Sequence, residues 1–140
     1  PAWFRPNYRM DNRTRLRIEL LIMIKLAGGL AETQWCERVK GRRLAGCTPE
    51  QVAQGAVRDQ ERALDLALLV TNGSSDEAAA FLEWLRLRTD RELKDPITWG
   101  GVQHLADALA EHPTLSYRRA QGYIFDGFDR ALRRSRAVGR

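Results

Sequence analysis

The sequence contains few of the residues that build disulfide scaffolds or metal sites. Two cysteines, Cys36 and Cys47, are too few for a disulfide framework, and their spacing matches neither a CxxC redox motif nor a zinc knuckle. Adding His104 and His112 would complete a set of four ligands. Structural zinc sites, however, usually supply their ligands in close pairs, whereas these four residues are scattered singly. We therefore predict no metal site and no cofactor, and the cytoplasm is the expected compartment.

Long apolar runs are also missing. None exceeds five residues: Leu20 to Ile24, for example, is followed at once by Lys25, whereas a transmembrane helix needs about 20 apolar residues. The amino terminus, residues 1–6, carries aromatic residues and prolines in place of the apolar region of a signal peptide. The sequence thus predicts a soluble chain without a membrane partner.

Catalytic motifs are absent from the sequence as well. It contains no GxxxxGK[ST], GxGxxG, HExxH or GxSxG pattern. His104 falls beside apolar neighbours in a predicted helix, which favours a surface or packing role. Asp126 and Asp129 are interpreted as caps or as partners for Arg130 and Arg133. We predict no catalytic residue and a function other than catalysis.

What the sequence does contain is helical periodicity, without any convincing strand alternation or hairpin dipeptide. The predicted fold is all-α, a compact bundle of five or six helices. Residues 1–140 are expected to form a single helical domain, with residues 1–10 as an N-terminal arm and about 137–140 as a basic tail. The predicted helices cover approximately residues 12–27, 31–39, 49–70, 75–93, 98–111 and 117–136.

Capping residues set most of these boundaries. Thr48, followed by Pro49 and by Gln51 three positions on, has the pattern of a capping box, and Ser74 with Glu77 repeats it. Asp11 or Asn12 is expected to cap the first helix, Thr98 the fifth, and Thr114 or Ser116 the last. Gly28–Gly29, Asn72–Gly73, Asp95–Pro96 and Pro113 are expected to end helices.

The second half of the first helix is apolar nearly all round, from Leu20 to Leu26 except for Lys25. A helix that is apolar on every side is typical of the interior of a bundle. We therefore expect this helix to be buried on most faces and central in the fold.

Lysine is scarce, and arginine outnumbers it by 20 to 3. The net charge is +6 over residues 1–44, −6 over 45–112 and +5 over 113–140. Cationic ends could bind phosphates with release of counterions, and guanidinium groups suit bidentate contacts. Alternatively, the acidic middle of one copy could meet the cationic ends of another. A third interpretation is that arginine simply supplies cations to solvated helix faces.

The arginines of the first helix are the strongest indication of an anionic partner. Arg13, Arg15 and Arg17 lie in its opening turns, where the helix dipole disfavours cations. Arginines near the end of the last helix are consistent with the same dipole. Aromatic residues of the arm, including Trp3 and Tyr8, could stack on bases or anchor the terminus. The candidate nucleic-acid-binding residues are Arg13, Arg15, Arg17, Arg42, Arg43, Arg118, Arg119, Arg130, Arg133, Arg134 and Arg136.

Two family resemblances accompany these features. The segment HLADALAEHPTLSYRRAQGYIFDGFDRAL, residues 104–132, is similar to the helical hairpin of HU/IHF nucleoid proteins, which mainly forms their dimer. The β-saddle and arms with which that family grips DNA have no counterpart here, so DNA bending is not implied.

The size, helical character and Arg-rich termini resemble the small helical subunits of multisubunit (class 1) CRISPR effector complexes. That resemblance implies a non-catalytic subunit that packs in several copies in a ribonucleoprotein complex. Its partners would be RNA or DNA backbone, copies of itself and a larger protein subunit. The alternative is a homo-oligomeric helical adaptor or an HU-like DNA-binding regulator outside such a complex.

Overall fold

In a computed structural model of the chain, residues 10–39 and 48–138 are described. Helices account for most of this part of the chain and it contains no strand, so the all-α prediction is confirmed. The helices are α1 (Asn12–Arg38), α2 (Pro49–Val70), α3 (Ser75–Lys94), α4 (Pro96–Glu111) and α5 (Tyr117–Val138).

Contacts within the chain group it into two compact units. One unit ends at Asp90 and the other begins at Arg91, so the division falls inside α3. The first contains α1, α2 and most of α3, and the second contains α4 and α5. A single domain over residues 1–140 stays a prediction.

The predicted stop at Gly28–Gly29 is wrong. Helix α1 continues through both glycines to Arg38 and absorbs the short helix predicted at residues 31–39. Neither glycine has a positive φ; in the described residues only Asn72 and Gly73 do. Gly29 serves a packing role instead, because a Cβ built there would lie 3.1 Å from Cβ of Ala56 in α2.

The predicted start and end of α2 are confirmed. The side-chain oxygen of Thr48 accepts a hydrogen bond from the Gln51 amide at 3.2 Å, and the Gln51 side chain accepts one from the Thr48 amide at 3.3 Å. These two bonds complete a capping box. The left-handed residues Asn72 and Gly73 follow the end of α2, with φ of 52° and 85°.

Helix α4 starts two residues before the predicted cap at Thr98. Asp95 is the N-cap, and its Oδ2 accepts hydrogen bonds from the amides of Ile97 at 3.1 Å and Thr98 at 2.8 Å. Pro96 then occupies the first helical position, where its fixed φ suits a helix. Ser116, one of the two caps predicted for α5, accepts a bond from the Arg119 amide at 3.4 Å.

The predicted N-terminal arm and basic tail differ from the structure at their inner ends. Met10, placed in the arm, packs against the core, while residues 1–9 lie outside the described part. Helix α5 extends to Val138, into the predicted tail, whose last two residues are outside the described part.

The core of the first unit lies among α1, α2 and α3. Ile18 and Ile22 of α1 contact small residues of α2 and are joined by Leu85 of α3. Ile22 and Leu85 are the largest fully buried side chains in the described residues. Ala63, Ala67 and Ala78 complete the cluster.

The expectation that α1 is buried on most faces is wrong. Its opposite side is exposed: Leu16, Leu20 and Ile24 keep 53%, 50% and 66% of their surface in solvent. Small residues of α2 cover only the Ile18 and Ile22 side. Hydrophobicity on every side of a helix therefore did not indicate burial on every side.

In the second unit, α4 and α5 cross with their backbones close together. Gly100 and Gly101 of α4 face Gly127 of α5, where an added Cβ would lie 2.5 Å from the Gly100 carbonyl oxygen. A Cβ on Gly101 would collide with the ring of Phe128. Only glycine, which has no Cβ, permits the two helices to approach this closely. The close crossing of α4 and α5 therefore depends on these three glycines.

Candidate nucleic-acid interface

The opening turns of α1 divide the predicted arginine row between two roles. Asp11 caps the helix, accepting hydrogen bonds from the Thr14 amide and hydroxyl, both at 2.8 Å. The amide bond in particular lowers the pKa of the Asp11 carboxyl, with the hydroxyl bond next in effect. Arg13 and Arg17 are exposed on the side of α1 that faces solvent.

Arg15 is engaged within the protein. Its Nε lies 3.4 Å from Oε1 of Glu19, and its guanidinium carbon is 5.8 Å from the centre of the Phe81 ring in α3. A cation over an aromatic face is attracted by the ring quadrupole. Arg15 therefore links α1 to α3 and is less available to an external anion than Arg13 or Arg17.

Helix α5 carries the larger set of candidate residues. Its six arginines are all exposed, and no ion pair within 4.0 Å joins any of them to an acidic group in the described part of the chain. These arginines are Arg118, Arg119, Arg130, Arg133, Arg134 and Arg136.

Two of these arginines lie at the start of α5. Because the helix begins at Tyr117 and has no acidic residue in its first turn, Arg118 and Arg119 are close to its positive dipole end. The dipole disfavours cations there, as it does for Arg13 in α1. The predicted cap at Ser116 is the sequence signal that places Arg118 and Arg119 in the first turn of α5.

The other four arginines lie in the last three turns of α5. Arg130 and Arg134 are four residues apart, and Arg133 and Arg136 are three apart, so each pair shares a side of the helix. The prediction that Asp126 and Asp129 pair with Arg130 and Arg133 is wrong. All of these side chains point into solvent and remain further apart than an ion pair.

Some cations elsewhere in the described chain are paired with carboxylates. Nε and an Nη of Arg86 donate to the two carboxylate oxygens of Glu83 at 2.7 and 2.8 Å. That contact lowers the pKa of Glu83 and raises the pKa of Arg86. Nζ of Lys25 lies 3.0 Å from Oδ1 of Asp59. The contrast leaves α5 as the described helix with the most uncompensated positive charge.

The candidate residues thus fall into separate groups. Arg13, Arg15 and Arg17 belong to the first unit, and the six arginines of α5 belong to the second. Arg42 and Arg43 lie outside the described residues, as do the aromatic side chains predicted for the arm. Within α5 the arginines form two groups, one in the first turn and one near the end of the helix; Asp126 lies between them, and Asp129 directly precedes the second group.

A groove of about 450 Å³ runs between α1 and α2 in the first unit. Its charged lining residues include Lys25 and Arg86, which hold the ion pairs with Asp59 and Glu83. The remaining wall is mostly apolar, formed by residues such as Leu26 and Val52. Glu37 and Cys36 also line the groove.

The histidines and acidic residues of the described chain form no cluster of three or more that could hold a metal ion. The ring of His104 instead packs against Tyr123, with centroids 5.7 Å apart in an edge-to-face arrangement. His112 is the C-cap of α4.

None of the helices in the described chain has the length and apolar character needed to span a membrane.

Comparison of the chain with protein-family models, curated protein sequences and solved structures returned no match. Function is therefore inferred from the charges and contacts of the chain itself.

Proposed function

We propose that this protein binds the sugar-phosphate backbone of nucleic acid through α5 and performs no catalysis. The observation that supports this role is the set of six exposed arginines on α5 without an acidic partner in the described chain. Like charges along one helix repel each other, and bound phosphates would relieve that repulsion while releasing counterions.

Arg118 and Arg119 support the proposal most specifically. Cations at a helix C-terminus are favourable without any ligand, so Arg133, Arg134 and Arg136 have a second explanation. Arginines in the first turn lack this explanation. An anion bound there would be attracted both by the guanidinium groups and by the amides at the start of the helix.

The resemblance to CRISPR small subunits gives this role a context. In that context the protein would occur in several copies beside a larger protein subunit, along RNA or a displaced DNA strand. Both that complex and the HU-like alternative stay predictions. The backbone-binding role is common to both, and it can be measured on the isolated chain.

The test is binding of the purified full chain to labelled single-stranded RNA, single-stranded DNA and duplex DNA over a range of salt concentrations. We expect the logarithm of the binding constant to fall linearly with the logarithm of salt concentration. Replacing Arg118 and Arg119 together by glutamine should weaken binding and make the slope shallower by about 2 on a duplex.

A matched control is available in α2. Arg58 and Arg62 are exposed and four residues apart, but they are surrounded by acidic residues such as Asp59, Glu61 and Asp65. Replacing both by glutamine changes the net charge equally and should leave the salt slope unchanged. Binding that is absent, insensitive to salt or equally weakened by the α2 change would overturn the proposal. If no nucleic acid binds, the expected partner of these arginines is an acidic protein surface.

A further inference from the structure

The solvent-facing side of α1 carries a stripe of exposed apolar residues, most closely spaced from Leu16 to Ile24. Leu16, Leu20 and Ile24 recur every four residues with half or more of their surface exposed, and Trp35 continues the stripe at 44%. Leu21 lies beside them and is 47% exposed. A contiguous apolar surface of this kind usually marks an interaction site.

The charges at the two ends of this stripe are complementary. Arg13 and Arg17 lie at its amino end, while Glu32 and Trp35 lie towards its carboxyl end. Arg17 precedes Ile24 by seven residues and Glu32 follows it by eight, whereas Arg13 and Trp35 are each eleven residues away. A second copy of α1 running in the opposite direction would therefore bring Arg17 to the level of the oppositely charged Glu32, and Arg13 to the level of the Trp35 ring.

Gly28 is consistent with the same arrangement. Glycine inside a helix costs about 1 kcal/mol relative to alanine, so its presence calls for a reason. Gly29 gives α2 room, but a Cβ built at Gly28 would meet no atom within 4 Å. Gly28 follows Ile24 by four residues and Leu20 precedes it by four. In a reversed copy, Leu20 would lie opposite Gly28, where the missing side chain leaves space for it.

We propose that two copies of this protein associate through antiparallel pairing of α1, with Ile24 close to the two-fold axis. Leu20 packs against Gly28 of the second copy, Arg17 pairs with Glu32, and Arg13 lies over the Trp35 ring. The same surface is used by both copies, as a two-fold interface requires. Between Arg13 and Trp35 the paired helices are in register over about 33 Å, at 1.5 Å per residue.

The first experiment measures the molar mass of the nuclease-treated full chain by sedimentation equilibrium over a range of concentrations. The expected species is a dimer of the 16.0 kDa chain. Ile24→Glu places a like charge on both sides of the two-fold axis and should shift the population to the single chain. Val57→Glu, at a 45% exposed position of α2, is the matched control and should leave the dimer unchanged.

A charge-exchange experiment tests the register. Arg17→Glu and Glu32→Arg should each weaken association, because like charges then meet at the same level of the pair. The double variant should restore association, since both contacts are re-formed with exchanged signs. Circular dichroism of each variant confirms that its helices remain intact.

A single chain at all concentrations would overturn the proposal. A double variant that fails to recover would overturn the antiparallel register. Neither result bears on the proposed role of α5, because these measurements contain no nucleic acid and alter no residue of that helix.

Discussion

Single carboxylates cap the starts of two of these helices, Asp11 for α1 and Asp95 for α4. Asp95 accepts hydrogen bonds from two amides at the start of α4, and the bond from the Thr98 amide is the main reason that its pKa is lowered. A group whose pKa is lower in the folded protein stabilises folding above its unfolded pKa. That contribution is lost as the pH falls through the folded pKa.

We expect Asp95→Asn to separate capping from charge. Asparagine caps helices as well as aspartate does, but it carries no negative charge beside the helix dipole. The wild-type protein should therefore melt at a higher temperature than the variant near neutral pH. The difference should disappear in acid, below the usual pKa range of aspartate. Thermal unfolding of both proteins across this range measures it, and a constant difference would contradict the assignment.

The sequence supported the cap of α2 better than the cap of α4. Only one start of α2 fits the pattern of Thr48, Pro49 and Gln51. The structure has that start, with Thr48 as the N-cap. Before α4, both Asp95 and Thr98 are residues that can cap. Pro96 decides between them because its fixed φ favours the first helical position, as Pro49 does in α2.

At the scale of helices, glycines determine how closely two packed helices approach each other. Gly127 of α5 faces the backbone of Gly100 and Gly101, whereas Gly122 of the same helix has no neighbour within 4 Å of an added Cβ. The two positions have the same residue type and the same helical backbone. They differ only in what lies opposite.

We expect Gly127→Ala and Gly122→Ala to change stability in opposite directions. The first forces α4 and α5 apart and should lower the free energy of unfolding by roughly 1–3 kcal/mol. The second reduces the conformational freedom of the unfolded chain and should raise it by up to about 1 kcal/mol. Urea denaturation followed by circular dichroism measures both. Equal effects would show that the close crossing is not formed.

The extent of α1 was predicted less well than its start. Two consecutive glycines are a reasonable stop signal, but a helix ends only where its backbone hydrogen bonds cease. In α1 the backbone at Gly29 lies close to Ala56 of α2, and these two residues are far apart in the sequence. A rule based on neighbouring residues could not include this proximity.

At the scale of the whole molecule, association and nucleic-acid binding would be carried by different helices. The proposed dimer uses α1 in the first unit, and the proposed backbone contacts use α5 in the second. A dimer would present two copies of α5, and linked copies can bind more tightly than either alone.

If the dimer forms, the melting temperature should depend on protein concentration. Association stabilises the folded state by mass action, so the melting temperature should rise as the concentration increases. Ile24→Glu should melt at a temperature independent of concentration. Scanning calorimetry of the wild-type protein and the Ile24→Glu variant measures both melting temperatures. The protein concentration is varied over roughly a hundredfold range. A concentration-independent wild-type protein would contradict the dimer.

The sequence by itself determined that the chain is helical, where α2 and α3 begin and end, and where the positive charge is concentrated. These properties depend on periodicity, capping residues and composition, all of which act over a few neighbouring residues. The tertiary structure decided which side of α1 is buried, why Gly28 and Gly29 differ, and which arginines have partners. Arg15 and Arg17 look alike in the sequence, but only Arg15 lies over Phe81. Such differences arise from contacts between distant segments, which no local pattern records.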